Sequence, residues 1–139
     1  MLNFENNKPL SNFDIIKIVQ QLHIPNFKGV FMRDEILNEK LRSNECFVYN
    51  IDSKENPGTH WTCAFIQNNN CWYFDSYGFQ PPSEFLKYIE NIKNRWYSNF
   101  KIQTANEVIC GHYCLYVLYY LSIGIPFYTI LDKLYYYNN

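Results

Sequence analysis

Apolar residues recur along this chain in two rhythms, one helical and one extended, and the change between them marks out its elements. Over residues 11–23 the residues Ile15, Ile18, Val19 and Leu22 fall on one helical face. Ser11 stands where a cap belongs, Asp14 suits the positive N-terminal end, and Pro25 stops the run. Residues 28–45 are mixed, with a short strand expected at Gly29–Met32 and a helical turn through Glu35–Leu41. Cys46–Ile51 reads as a strand and the following SKENPGT as a loop. The apolar runs HWTCAFIQ and CWYFD, parted by Asn68, Asn69 and Asn70, predict a β-hairpin, because asparagine tolerates turn geometry.

Beyond the hairpin, SYGFQPP reads as a loop whose double proline opens a helix. Phe85, Ile89, Ile92 and Trp96 share one stripe of that helix. A short strand is expected around Phe100–Thr104, then a loop, ANEVI. The stretch from Cys110 to about Ser122 is apolar nearly all round, which predicts a buried central helix. Gly124 and Pro126 end it, and residues 127–137 can form a last helix. The pattern is that of an α+β domain, helices packed on a small antiparallel sheet, and 139 residues make one domain, 1–139.

Composition narrows the function classes. The chain is 47% hydrophobic and 19% aromatic, enough for a substantial core. A net charge of -1 does not announce DNA or an acidic membrane as partner. The opening MLNFENNKPLSNF has no apolar signal core, and CLYVLYYLSIGIPF is too short and too polar to span a bilayer. Secretion and membrane insertion are therefore not expected. Five irregularly spaced cysteines argue against a disulfide framework and for a reducing compartment. The weight of Asn, Tyr, Ile, Phe and Lys suits an AT-rich genome, as in many viruses and protists.

Candidate chemistry gathers at the hairpin and the apolar helix. His60 opens the leading strand and Asp75 closes the returning one, so both lie at the same end of an antiparallel pair. Cys110 heads the apolar helix, where unpaired N–H groups and the helix dipole favour a thiolate. A carboxylate on the far imidazole nitrogen would set its tautomer. The Cys110 N–H and the Gln103 amide are candidate oxyanion donors, and Gly111 leaves room beside the nucleophile. A cysteine heading an apolar helix is ordinarily a packing residue; the His–Asp hairpin, Gln103 and Gly111 lift Cys110 out of that class. Cys114, one turn deeper, reads as packing, as do Cys63 and Cys71, and His112 as a surface or supporting group. His23 reads as a helix-end partner or a solvated side chain. Zinc held by Cys110, Cys114, His60 and His112 is a minor alternative, since no CxxC pair is present.

The segments GTHWTCAF, WYFDSYGF, Gln103–Thr104–Ala105–Asn106 and ICGHYC resemble the adenovirus-type maturation peptidases (adenain). They are closest in look to the relatives carried by Maverick/Polinton elements and virophage-like viruses, and more distantly to the SUMO-specific proteases. GVFMRDEI adds to the Polinton likeness. The resemblance implies a papain-like α+β core and a catalytic set of His60, Asp75, Gln103 and Cys110. It places Trp61, Asn106 and Gly111 beside the substrate. It further implies cleavage of viral structural precursors next to small residues such as glycine, inside the host nucleus or virus factory and in the virion. No cofactor is required by this chemistry, although an activating peptide or DNA stimulates adenain. This chain has no cysteine between Asp75 and Cys110 to tether such a peptide, unless Cys46, Cys63 or Cys71 serves. A deconjugase for a ubiquitin-like protein and a non-catalytic binding module of the same fold are the alternatives.

Overall fold

A computed structural model describes residues 8–52, 60–102 and 109–138. Helix α1, Asn12–Leu22, starts where its cap predicts. Asp14 N–H donates to Ser11 Oγ at 3.1 Å, and Ser11 N–H donates to Asp14 Oδ2 at 3.0 Å. Ile15 and Val19 are buried, and the exposed His23 ends the helix in the left-handed conformation.

Five strands then form one sheet in the order β1-β2-β3-β4-β5. Strand β1, Phe27–Phe31, runs parallel to β2, Asn44–Asn50, with a 3-10 turn over Glu35–Asn38 between them. The turn is shorter than the expected Glu35–Leu41. Strand β2 is antiparallel to β3, Trp61–Gln67, which forms the hairpin with β4, Asn70–Phe74. Asn68 and Asn69 make its two-residue turn with φ of 50° and 66°.

The next stretch departs from expectation. Helix α2 covers only Ser83–Tyr88, and Asn94–Tyr97 is strand β5, parallel to β4. Ile89 and Ile92 are still buried, but Trp96 leaves the helical stripe and stacks on Trp72, with ring centroids 5.4 Å apart. Sheet pairing wins here because it satisfies the open edge of β4. Arg95 helps, donating from Nε to the Ile92 carbonyl at 3.0 Å and from Nη2 to the Glu90 carbonyl at 2.8 Å. Residues 100–102 are not a strand, and 103–104 lie outside the described residues. The sheet is thus mixed rather than purely antiparallel, its two outer pairings being parallel.

Helix α3, Cys110–Ser122, lies across β3, and α4, Phe127–Asn138, packs on α3. The strand alternation sends side chains to two cores. Val48 and Cys63 join Ile15, Leu115, Leu118 and Leu131 on the α3 face. Phe47, Tyr49, Ala64 and Tyr73 join Phe85 and Ile89 on the α2 face. A buried polar knot ties the second face together. Lys28 Nζ meets Glu45 Oε1 at 3.1 Å, and Tyr88 Oη donates to Glu45 Oε2 at 2.6 Å. No helix among the described residues is long and apolar enough to cross a membrane.

Candidate active site

Three elements deliver the site. His60 immediately precedes β3, Asp75 immediately follows β4, and Cys110 is the first residue of α3. The hairpin register pairs Cys63 with Phe74, so Thr62 falls opposite Asp75 and His60 lies offset from it. The side chains close that gap, with His60 Nε2 2.7 Å from Asp75 Oδ1. The packing of α3 over β3 brings Cys110 to the same end, where Trp61 N–H donates to Cys110 Sγ at 3.4 Å. All three side chains are almost fully enclosed: His60 is 4% exposed, Asp75 1% and Cys110 6%.

With Nε2 held by Asp75, the nitrogen left for the thiol is Nδ1. It has no hydrogen-bond partner among the described residues in this resting geometry, although ring and thiol interact. Burial works against both charged forms here, and the neighbours overcome it. Desolvation would lower the His60 pKa, but Asp75 and Cys110 push it up to about 9. Desolvation would likewise raise the Cys110 thiol, yet the His60 ring, the Trp61 N–H and the Gly111 N–H bring it below its usual 9.0. The arrangement favours a thiolate beside an imidazolium. Cys114 shows the contrast, for complete burial pushes its thiol well above the usual value.

Asp75 is held from two sides that the sequence did not reveal. Tyr77 N–H donates to Asp75 Oδ1 at 2.7 Å, closing a turn whose Gly78 N–H reaches the Asp75 carbonyl at 2.8 Å. Ser98, fully buried beyond β5, accepts from Asp75 N–H at 2.8 Å and donates to the Asp75 carbonyl at 3.0 Å. The Asp-Ser-Tyr-Gly string is a turn signature that could have exposed the first contact. Nothing local signals the second, which depends on β5. Tyr77 also stacks on the imidazole, centroids 4.3 Å apart and planes 21° from parallel.

The other predicted positions divide. The Trp61 indole N–H donates to the Leu10 carbonyl at 3.0 Å. A Cβ on Gly111 would meet Trp61 Cδ1 at 3.2 Å and Leu10 Cβ at 3.4 Å. The space over Gly111 is therefore occupied by protein, and an added methyl there would require Trp61 or Leu10 to shift by a few tenths of an ångström. Gln103 and Asn106 lie outside the described residues. His112, expected as a surface or supporting group, is buried at 5% exposed, because α3 is covered on nearly every side of its first two turns. All five cysteines are unpaired and buried. Among the described residues no His, Cys, Asp and Glu cluster suits a metal ion.

The fold is a mixed α+β domain with one five-stranded sheet, and the His60, Asp75 and Cys110 side chains meet at one end of it. The structure superposes on the crystal structure of the African swine fever virus protease with a TM-score of 0.70 and 17% identity, covering 96% of this chain and 67% of that one. Its selenomethionine form gives 0.66. By sequence the chain is 33% identical over 103 residues to a protein of Acanthamoeba polyphaga mimivirus named as a thiol protease, across 62% of this chain and 32% of that protein. It is 27% identical over 99 residues to the cysteine protease of African swine fever virus, across 64% of this chain and 36% of that protein. The chain thus spans about a third of the length of the curated relatives it matches. No protein-family model matches it.

Proposed function

We propose that the chain is a cysteine endopeptidase of the viral maturation kind, with Cys110 as nucleophile, His60 as acid and base, and Asp75 as the group that orients it. The observation that carries this reading is the Asp75–His60 contact of 2.7 Å, placed beside the thiol of the first residue of α3, whose pKa is lowered. Four chemical steps follow from it. The Cys110 thiolate attacks the peptide carbonyl carbon, and the carbonyl π electrons move to oxygen. The oxyanion is met by the Cys110 N–H, with Gln103 as the second donor. Collapse re-forms the carbonyl and breaks the C–N bond, the leaving amine taking its proton from His60 Nδ1. Water, deprotonated by the now neutral His60, then attacks the thioester and releases the thiolate.

The substrates in this reading are polypeptides, namely viral or element-encoded structural precursors cut beside small residues such as glycine, inside the infected cell or the virion. The likeness of GTHWTCAF and ICGHYC to adenain, together with the viral proteases found among the relatives, supports it. The test is cleavage of a glycine-containing peptide by the wild-type chain and by Cys110→Ala. Loss in the variant is expected, and full retention would remove Cys110 from the reaction. An electrophilic probe on a ubiquitin-like C-terminal tail should leave Cys110 unlabelled. Labelling would move the assignment to a deconjugase.

A further inference from the structure

Resting on the reading above, we infer that Tyr77 and Phe79 form the wall that receives the leaving-group side of the substrate, and that Phe79 selects a large apolar residue just after the scissile bond. The direction comes from the chemistry. The departing amine must take its proton from the imidazole, so the residue that follows the bond has to lie against the surroundings of His60. One flat face of that ring is already covered by Tyr77, at 4.3 Å. Moving outward, the Tyr77 ring meets the Phe79 ring at 6.0 Å and 52°. Tyr77 is half-buried, while Phe79 is 63% exposed. The two rings therefore form a continuous aromatic surface running from the buried imidazole to solvent.

A single exposed phenylalanine is ordinary on a protein surface. The backbone that carries this one is tightly packed. Gly78, just before it, has φ +74°, and a Cβ there would stand 2.7 Å from the Phe100 backbone, so the turn is wedged against its neighbour. Tyr77 is tied through its N–H to Asp75 Oδ1, and Pro81, two residues after Phe79, is buried. The same turn thus orients the carboxylate and carries the aromatic pair. A rigid apolar surface loses little conformational entropy when a partner covers it. The occupant that fits is an aromatic or large aliphatic side chain of the peptide, since a carboxylate would lose hydration against the two rings.

The experiment uses the full chain and substrates that share one acyl side ending in glycine. Their leaving groups are methanol (from a methyl ester), a phenylalanine-led peptide or an aspartate-led peptide. Wild type should prefer the phenylalanine substrate over the aspartate one by about tenfold or more in kcat/KM. Phe79→Ser should collapse that ratio to about twofold or less, and Phe79→Leu should keep most of it. A ratio that persists in Phe79→Ser, or a loss equal on the methyl ester, would overturn the inference. Protection of Cys110 from iodoacetamide by free peptides with an amino-terminal Phe or Asp gives a second reading that needs no turnover. Stronger protection by the Phe peptide, lost in Phe79→Ser, supports the wall; equal protection refutes it. Failure of every substrate to be cleaved would count against the peptidase assignment itself, separately from the protection result.

Discussion

Burial would keep the Cys110 thiol protonated and the His60 ring neutral; their mutual contact, with Asp75 behind the ring and the Trp61 and Gly111 N–H groups on the sulfur, reverses both tendencies. The sign of the pH dependence follows. The imidazolium persists until pH rises through about 9, and the thiolate persists until pH falls through a value below 9.0. The pair titrates as a unit, so kcat/KM should be bell-shaped, with its alkaline limb near 9. Asp75→Asn removes the carboxylate that raises His60, so the alkaline limb should move to lower pH. The rate should fall by about 10²-fold or more, as when an orienting carboxylate is lost elsewhere. A profile whose alkaline limb stays in place would take Asp75 out of that role. At this scale the sequence was largely legible. That His60 and Asp75 stand at one end of the hairpin, and Cys110 at the head of α3, was readable because each sits at the end of an element with a clear hydrophobic rhythm. Ser98 was not, since its bonds to Asp75 cross 23 residues of chain.

Elements hold these residues through a few constrained joints. The turn after β4 is the tightest. Gly78→Ala adds a Cβ to a left-handed position already 2.7 Å from the Phe100 backbone. Urea denaturation should show a loss of about 2 kcal/mol or more. Gly124, with φ +93° and open space around its missing Cβ, provides the control. Gly124→Ala should lose only about 1 kcal/mol, from backbone strain alone. Equal losses would mean that the contact with Phe100 contributes nothing. Ser98→Ala leaves the Asp75 N–H without its partner and should lose about 1–3 kcal/mol, with a fall in kcat measured at saturating peptide. Helix α1 and the asparagine turn were readable because capping boxes and left-handed asparagines are local devices. The sequence reading extended α2 too far, since the apolar spacing of Phe85, Ile89, Ile92 and Trp96 matches a helix as well as it matches a helix followed by a strand.

Across the whole molecule, the sheet separates two cores, and the face carrying α3 also carries Cys110. Leu118 is fully buried there, so Leu118→Ala should lose about 2–5 kcal/mol in chemical denaturation. Leu37, half-exposed on the 3-10 turn, should tolerate alanine within about 0.5 kcal/mol. Comparable losses at the two positions would contradict this division of core and surface. The parallel outer pairings of the sheet were not visible beforehand, because hydrophobic alternation records which face a residue takes and not the direction of the strand beside it.

The chain by itself determined the elements that depend on neighbours a few residues apart: the capped first helix, the hairpin and its asparagine turn, and the apolar helix headed by Cys110. It also determined which side chains could do chemistry and the end of the hairpin at which two of them stand. The tertiary structure alone decided that β5 follows α2, that His112 is buried, and that Leu10 and Trp61 occupy the space over Gly111. It alone set Tyr77 against the imidazole and Ser98 behind the carboxylate. Those outcomes rest on which surfaces meet when distant segments pack. That choice is made by burial and by the pairing of backbone groups across the whole domain, which no local pattern encodes.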